Sequence, residues 1–135
     1  MKSWTHGAMT LIRSSLFFVL FVLNTLVFGL ILSILGWFLP AGWKEALSNT
    51  WAIVTIAALK ATCGLGYRVR GRENIPREPR IIMSKHQSAW ETMALRAIFR
   101  GSQSWVLKRE LMWVPVFGWA LATMSPIAID RKTGR

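Results

Sequence analysis

The sequence predicts an α/β chain in two parts: membrane-anchoring helices over residues 1–63, then an incomplete, truncated α/β layer structure over residues 64–135. Three observations lead there. No charged side chain occurs from Ser14 to Trp43, in a chain of 135 residues that is 53% hydrophobic. After Cys63 the composition changes, and from Arg68 onward 13 Lys/Arg face 5 Asp/Glu. Beyond that point short strand-like runs alternate with helical ones, the order expected of α/β layers.

Length allows one small domain and not two. The apolar content excludes disorder, whose mark is low hydrophobicity. A single cysteine, Cys63, excludes a disulfide framework. The charge count of 17 Lys+Arg against 6 Asp+Glu gives a net of +11. Basic and apolar together point to a protein held at a membrane, its polar part facing anionic lipid or an anionic substrate. Nucleic acid is not an expected partner, because much of the chain is membrane-like and no nucleic-acid motif is present.

The uncharged stretch is long enough for a spanning helix of roughly 20 residues. Arg13 precedes it, and Trp37 and Trp43 stand at its far end, where tryptophan suits the headgroup level. Asn24 and Gly29 in its middle could bend it. A cleaved signal peptide fits less well, since the apolar run exceeds a signal core of about 7–15 residues. A second apolar segment, Ala46 to Leu59, is shorter and suits a buried or interfacial helix. The pair forms either a hairpin dipping into one leaflet or one span plus a surface helix.

In the polar part, Tyr67–Arg70 alternates as a strand does. The prolines of Asn74–Pro79 make a turn. Arg80–Ser84 reads as a short apolar strand. Ala89–Arg100 reads as a helix, with Trp90, Met93, Ala94, Ala97 and Ile98 on one face and Arg96 and Arg100 on another. Ser104–Leu107 and Pro126–Ile129 are further strands, separated by a bent helix over Glu110–Met124 that Pro115 and Gly118 interrupt. The last strand has nothing after it to cover its second face, although strands in such sheets are covered on both. A fragment of a longer protein is therefore expected.

The segment with most chemistry is Lys85-His86-Gln87-Ser88-Ala89-Trp90-Glu91, where a strand hands over to a helix. Ligand sites in α/β sheets form at such carboxyl ends. On one helix His86 and Glu91 would point about 140° apart. They meet only if His86 lies in the turn and Glu91 in the first helical turn. A carboxylate beside a histidine fixes its tautomer and stabilises the imidazolium, which makes a general base. The same residues also fit a capping box, with Ser88 as the cap and Glu91 reaching back to its amide. A zinc site is disfavoured: the spacing is not His-Glu-x-x-His, and the only other histidine, His6, lies beyond the anchor.

With these segments in order, the chain resembles the bacterial 1-acyl-sn-glycerol-3-phosphate (lysophosphatidate) acyltransferases. KHQSAWET is similar to the family's His-x4-Asp block, with Glu91 at the Asp position. KRELMWVPVFGWAL (Lys108–Leu121) and PIAIDR, ending at Arg131, are similar to two later blocks. The two apolar segments look like the family's membrane-anchoring helices. The resemblance covers nearly the whole chain. The family's Glu-Gly-Thr-Arg block has no counterpart before Arg135.

The resemblance implies a glycerolipid acyltransferase domain of the α/β class, here its first half. It implies transfer of an acyl group from a thioester, on coenzyme A or acyl carrier protein, to the free hydroxyl of lysophosphatidate. That reaction makes phosphatidate in phospholipid synthesis and needs no metal or other cofactor. His86 is then the catalytic base and Glu91 its orienting partner. Arg131 binds substrate phosphate, helped by Lys108 and Arg109, and an arginine fork suits a phosphate. The implied location is the bacterial inner membrane, with the site on the cytoplasmic side. The rival reading is a non-catalytic membrane-bound module whose basic surface binds anionic lipid.

Overall fold

The computed structural model describes residues 2–76, 78–85 and 87–130, with side chains from Gly7 onward. His86 and Arg131 lie outside these described residues. Helix α1 runs Lys2–Leu35 and α2 runs Ala41–Cys63. After an extended stretch come α3 (Trp90–Ile98), β1 (Val106–Lys108), α4 (Phe117–Ala122) and β2 (Ile127–Ile129).

Helices α1 and α2 form an antiparallel pair. Proline explains the turn between them: Pro40, with φ −56° and ψ 151°, starts α2, and its carbonyl accepts from the Trp43 N–H at 3.0 Å. Gly64 ends α2 in the left-handed region at φ 71°, its N–H donating to the Lys60 carbonyl, as glycine caps do. Polar contacts fix the register. Asn24 Nδ2 donates to the Trp51 carbonyl at 3.0 Å and to Thr55 Oγ1 at 2.9 Å. Trp51 Nε1 donates to Thr25 Oγ1 at 3.1 Å, and near the open end Arg13 Nε donates to the Thr62 carbonyl.

Asn24 does not interrupt α1: its amide is satisfied on the neighbouring helix and does not compete with its own backbone. Gly29 also lies inside the continuous helix; a Cβ there would sit 2.9 Å from Val116 Cγ1, so the missing side chain admits α4. The second helix is longer than its apolar segment, 23 residues in all. Among the described residues one stretch, Gly7–Leu35, is long and apolar enough to cross a membrane. Leu16, Phe18, Val19, Leu23, Val27 and Leu30 on it are all exposed.

The later helices use this pair as their core. Helix α3 packs on α2, burying Met93, Ala94 and Ala97. Arg96, placed by the helical pattern on a different face from these residues, is buried there too and donates from Nη2 to the Glu45 carbonyl at 3.2 Å. Helix α4 packs on α1. Ser33 Oγ donates to the Val116 carbonyl at 2.9 Å, and Lys44 Nζ to the Thr123 carbonyl, just past the end of α4, also at 2.9 Å.

The described residues are mostly helical, and β structure is confined to β1 and β2. These pair in parallel, with Val106 opposite Ile127 and Lys108 opposite Ile129. The expected strands at Tyr67–Arg70 and Arg80–Ser84 are not formed: both stretches are without regular structure, and Ile81 and Met83 are almost fully exposed. A strand needs a neighbour for its backbone groups, and neither run has one among the described residues. The expected bent helix over Glu110–Met124 is a 3-10 turn, Arg109–Trp113, followed by α4. The break falls at Pro115, and Val116 takes φ 64°, a strained value for a β-branched residue.

Helices α3 and α4 have nine and six residues, well below the ~12–15 at which isolated helices become even marginal. Residues 64–135 alone are therefore expected to lose these helices rather than form a soluble domain. Far-UV circular dichroism tests this, and a cooperatively melting helical signal from residues 64–135 would contradict it.

Candidate active site

The turn before α3 is built by Ser88 and Glu91. Ala89 already has helical angles, φ −65° and ψ −15°, so the residue that caps the helix is Ser88. Its Oγ accepts the Trp90 N–H at 3.3 Å. The Glu91 carboxylate reaches back over the turn. Its Oε1 accepts the Gln87 N–H at 2.8 Å and the Ser88 N–H at 3.1 Å; its Oε2 accepts the Ser88 N–H at 2.9 Å and the Ser88 hydroxyl at 2.9 Å. This is the capping box legible in the sequence.

These donors hold the Glu91 carboxyl at about 2, against an ordinary 4.5. The Gln87 N–H contributes most, followed by Glu91's own N–H, while desolvation opposes them and the Ser88 hydroxyl and N–H add to the lowering. Hydrogen bonds to the charged form favour it. Glu91 is thus a fixed anion at neutral pH, in the turn that follows Lys85 and His86. Tyr67 meets Trp90 edge-on, ring centroids 5.6 Å apart, and so ties the chain after α2 to the start of α3.

Lys108 and Arg109 are both exposed, at the carboxyl end of β1. Lys108 stands opposite Ile129, the last residue of β2, and Arg109 opens the 3-10 turn. Parallel pairing therefore brings the ends of both strands together, with Asp130 next in sequence. The structure groups Lys108 and Arg109 with the end of β2, and places Glu91 on α3, which packs on α2.

The burial of Arg96 and the contact of Lys44 with Thr123 are not legible in the sequence. Nothing in an amphipathic pattern separates a buried arginine from an exposed one. Lys44 reads as an ordinary charge near the start of a helix.

The depressed carboxyl has a signed consequence. A folded-state value below the unfolded one adds stability that is fully present above pH 4.5 and is lost as pH falls toward about 2. Glu91→Gln is expected to lower stability at neutral pH and to flatten the fall between pH 4.5 and 2. Chemical denaturation across this range measures it, and acid limbs of equal steepness would contradict the cap.

Comparison with known proteins matches residues 66–135 to the family model described as Acyltransferase. A Pseudomonas aeruginosa protein named 1-acyl-sn-glycerol-3-phosphate acyltransferase is 45% identical over 123 residues, covering 90% of this chain and 47% of the relative. A Saccharomyces cerevisiae protein of the same name is 32% identical over 74 residues, covering 55% of this chain and 24% of the relative. Zebrafish (Danio rerio) lysocardiolipin acyltransferase 1 is 31% identical over 129 residues, covering 85% of this chain and 33% of the relative. The chain thus spans about half the length of the Pseudomonas protein and less of the others. No solved structure matches it. With the three ordered sequence blocks and a family match over residues 66–135, the chain belongs to the acyltransferase family.

Proposed function

We propose that this protein transfers an acyl group from a thioester, on coenzyme A or acyl carrier protein, to the free hydroxyl of lysophosphatidate, producing phosphatidate. The observation that carries this reading is the Glu91 carboxylate, held ionised in the turn next to His86 in sequence. The names of the Pseudomonas and yeast relatives support the choice of acceptor.

In this reading His86 takes the hydroxyl proton as the oxygen attacks the thioester carbonyl. The C–S bond then breaks and the thiolate leaves, to be protonated as free thiol. Glu91 orients the imidazole and balances its positive charge. Capping and orienting are compatible roles: the cap fixes where the carboxylate stands and keeps it charged. Glutamate at the family's Asp position is one methylene longer, and its cap bonds hold that longer arm against the turn.

Arg131, with Lys108 and Arg109 at the paired strand ends, binds the acceptor's phosphate. The exposed apolar face of α1 holds the protein at a bacterial inner membrane, with the site on the cytoplasmic side, where the acceptor lipid and the soluble thioester meet.

His86→Ala is expected to abolish acyl transfer with the fold intact, a loss of about 10²–10⁴-fold for general-base help. Glu91→Asp should be tolerated and Glu91→Gln should lose activity. Initial rates of phosphatidate formation check this, and near-normal rates in Glu91→Gln would leave the residue as a cap alone.

Arg131→Ala is expected to raise KM for lysophosphatidate and to leave kcat and the thioester KM unchanged, because a phosphate contact remote from the hydroxyl is made equally in ground and transition states. Arg131→Lys should recover part of the loss, since an ammonium lacks the two-pronged fork. Varying each substrate separately is the test; a fall in kcat alone would remove Arg131 from the phosphate site.

A further inference from the structure

We propose that Arg96 is a positioning residue for the reaction, fixing α3, and Glu91 with it, to the start of the membrane-side helix α2. The inference rests on the function proposed above. Arg96 is only 2% exposed, the largest side chain buried so completely among the described residues. Its Nη2 donates to the Glu45 carbonyl at 3.2 Å, while its Nε and Nη1 are buried with no hydrogen-bond partner among the described residues.

Stability alone gives no reason for such a residue. Buried charges are costly unless paired and fully hydrogen-bonded, and well-packed apolar residues in their place are often neutral or stabilising. Burial pushes the guanidinium below its usual range, with the Glu45 charge partly opposing. Met93, Ala94 and Ala97 already supply an apolar face to this interface. A methionine would complete that face; the arginine adds one directional bond to a main-chain atom.

The place of that bond gives it a use. Arg96 lies five residues after Glu91 on one short helix, about 7.5 Å along its axis. The acceptor is the main chain of Glu45, and the preceding residue, Lys44, donates to the Thr123 carbonyl at the end of α4. Two consecutive residues of α2 thus locate α3, which bears Glu91, and α4, which follows Lys108 and Arg109. An apolar contact would let α3 slide or rotate on α2. A bond to a fixed carbonyl does not.

The test compares the protein as its gene encodes it with Arg96→Met and Arg96→Lys, using lysophosphatidate and an acyl-coenzyme A as probes. Arg96→Met is expected to fold with unchanged or raised Tm and to lose kcat by ~10–100-fold, the cost of a small misplacement. Both KM values should stay unchanged. Arg96→Lys keeps one donor for Glu45 and should restore most of kcat.

Wild-type kcat in Arg96→Met would overturn the proposal, as would a rise in one KM alone, which would mean substrate contact. Failure of Arg96→Met to fold would also overturn it, by making the arginine a requirement of the interface. So would an Arg96→Lys variant no better than Met. If the wild type transfers nothing to lysophosphatidate, the proposed function itself fails, and amide exchange at Gln87 and Ser88 then decides the positioning claim. Faster exchange in Arg96→Met supports it; unchanged exchange overturns it.

Discussion

Helices α3 and α4 depend on the antiparallel pair formed by α1 and α2. Helices α3 and α4 are too short to persist alone. Each survives by burying one face on the pair, α3 on α2 and α4 on α1. The register of the pair is itself set by directional bonds. Asn24 and Thr25 on α1 bond to Trp51 and Thr55 on α2 and fix one helix against the other midway, and an apolar seam alone would leave it free to slip. What reads in the sequence as an anchor is therefore also the foundation on which the candidate site stands.

From that foundation the site follows in two steps. Helix α3 presents its N-terminus, where Ser88 and Glu91 close the turn and hold the carboxylate charged. The segment from β1 to β2 returns along α4 so that two parallel strands end side by side, with Lys108 opposite Ile129. The proposed transfer would use the negative charge fixed at this turn and the positive charge of Lys108 and Arg109 at the strand ends.

Much of this is legible in the residues. The long run without charge marks α1, and the spacing of Met93, Ala94 and Ala97 marks the buried face of α3. Ser88 followed by Glu91 marks the cap. The short strands Val106–Lys108 and Ile127–Ile129 overlap the apolar, β-branched runs that stand out in the sequence. What fails has one physical cause: pairing is a property of neighbours and is invisible in a single segment. Arg80–Ser84 has strand composition yet lacks a partner among the described residues, and Arg96 has the composition of a surface charge yet faces α2. The proposed acyl acceptor comes from the resemblance carried by the ordered blocks and from the names of the relatives, not from any single segment.

Acyl transfer to the hydroxyl of lysophosphatidate is open to a direct test. The most direct measurement incubates the protein, as its gene encodes it, in lipid vesicles with a labelled acyl thioester and one of two acceptors: lysophosphatidate, or the matching monoacylglycerol without phosphate. The expected result is labelled phosphatidate, equimolar release of free thiol, and little product from the acceptor that lacks phosphate. Binding to anionic vesicles with no labelled phosphatidate, or equal acylation of both acceptors, would contradict it.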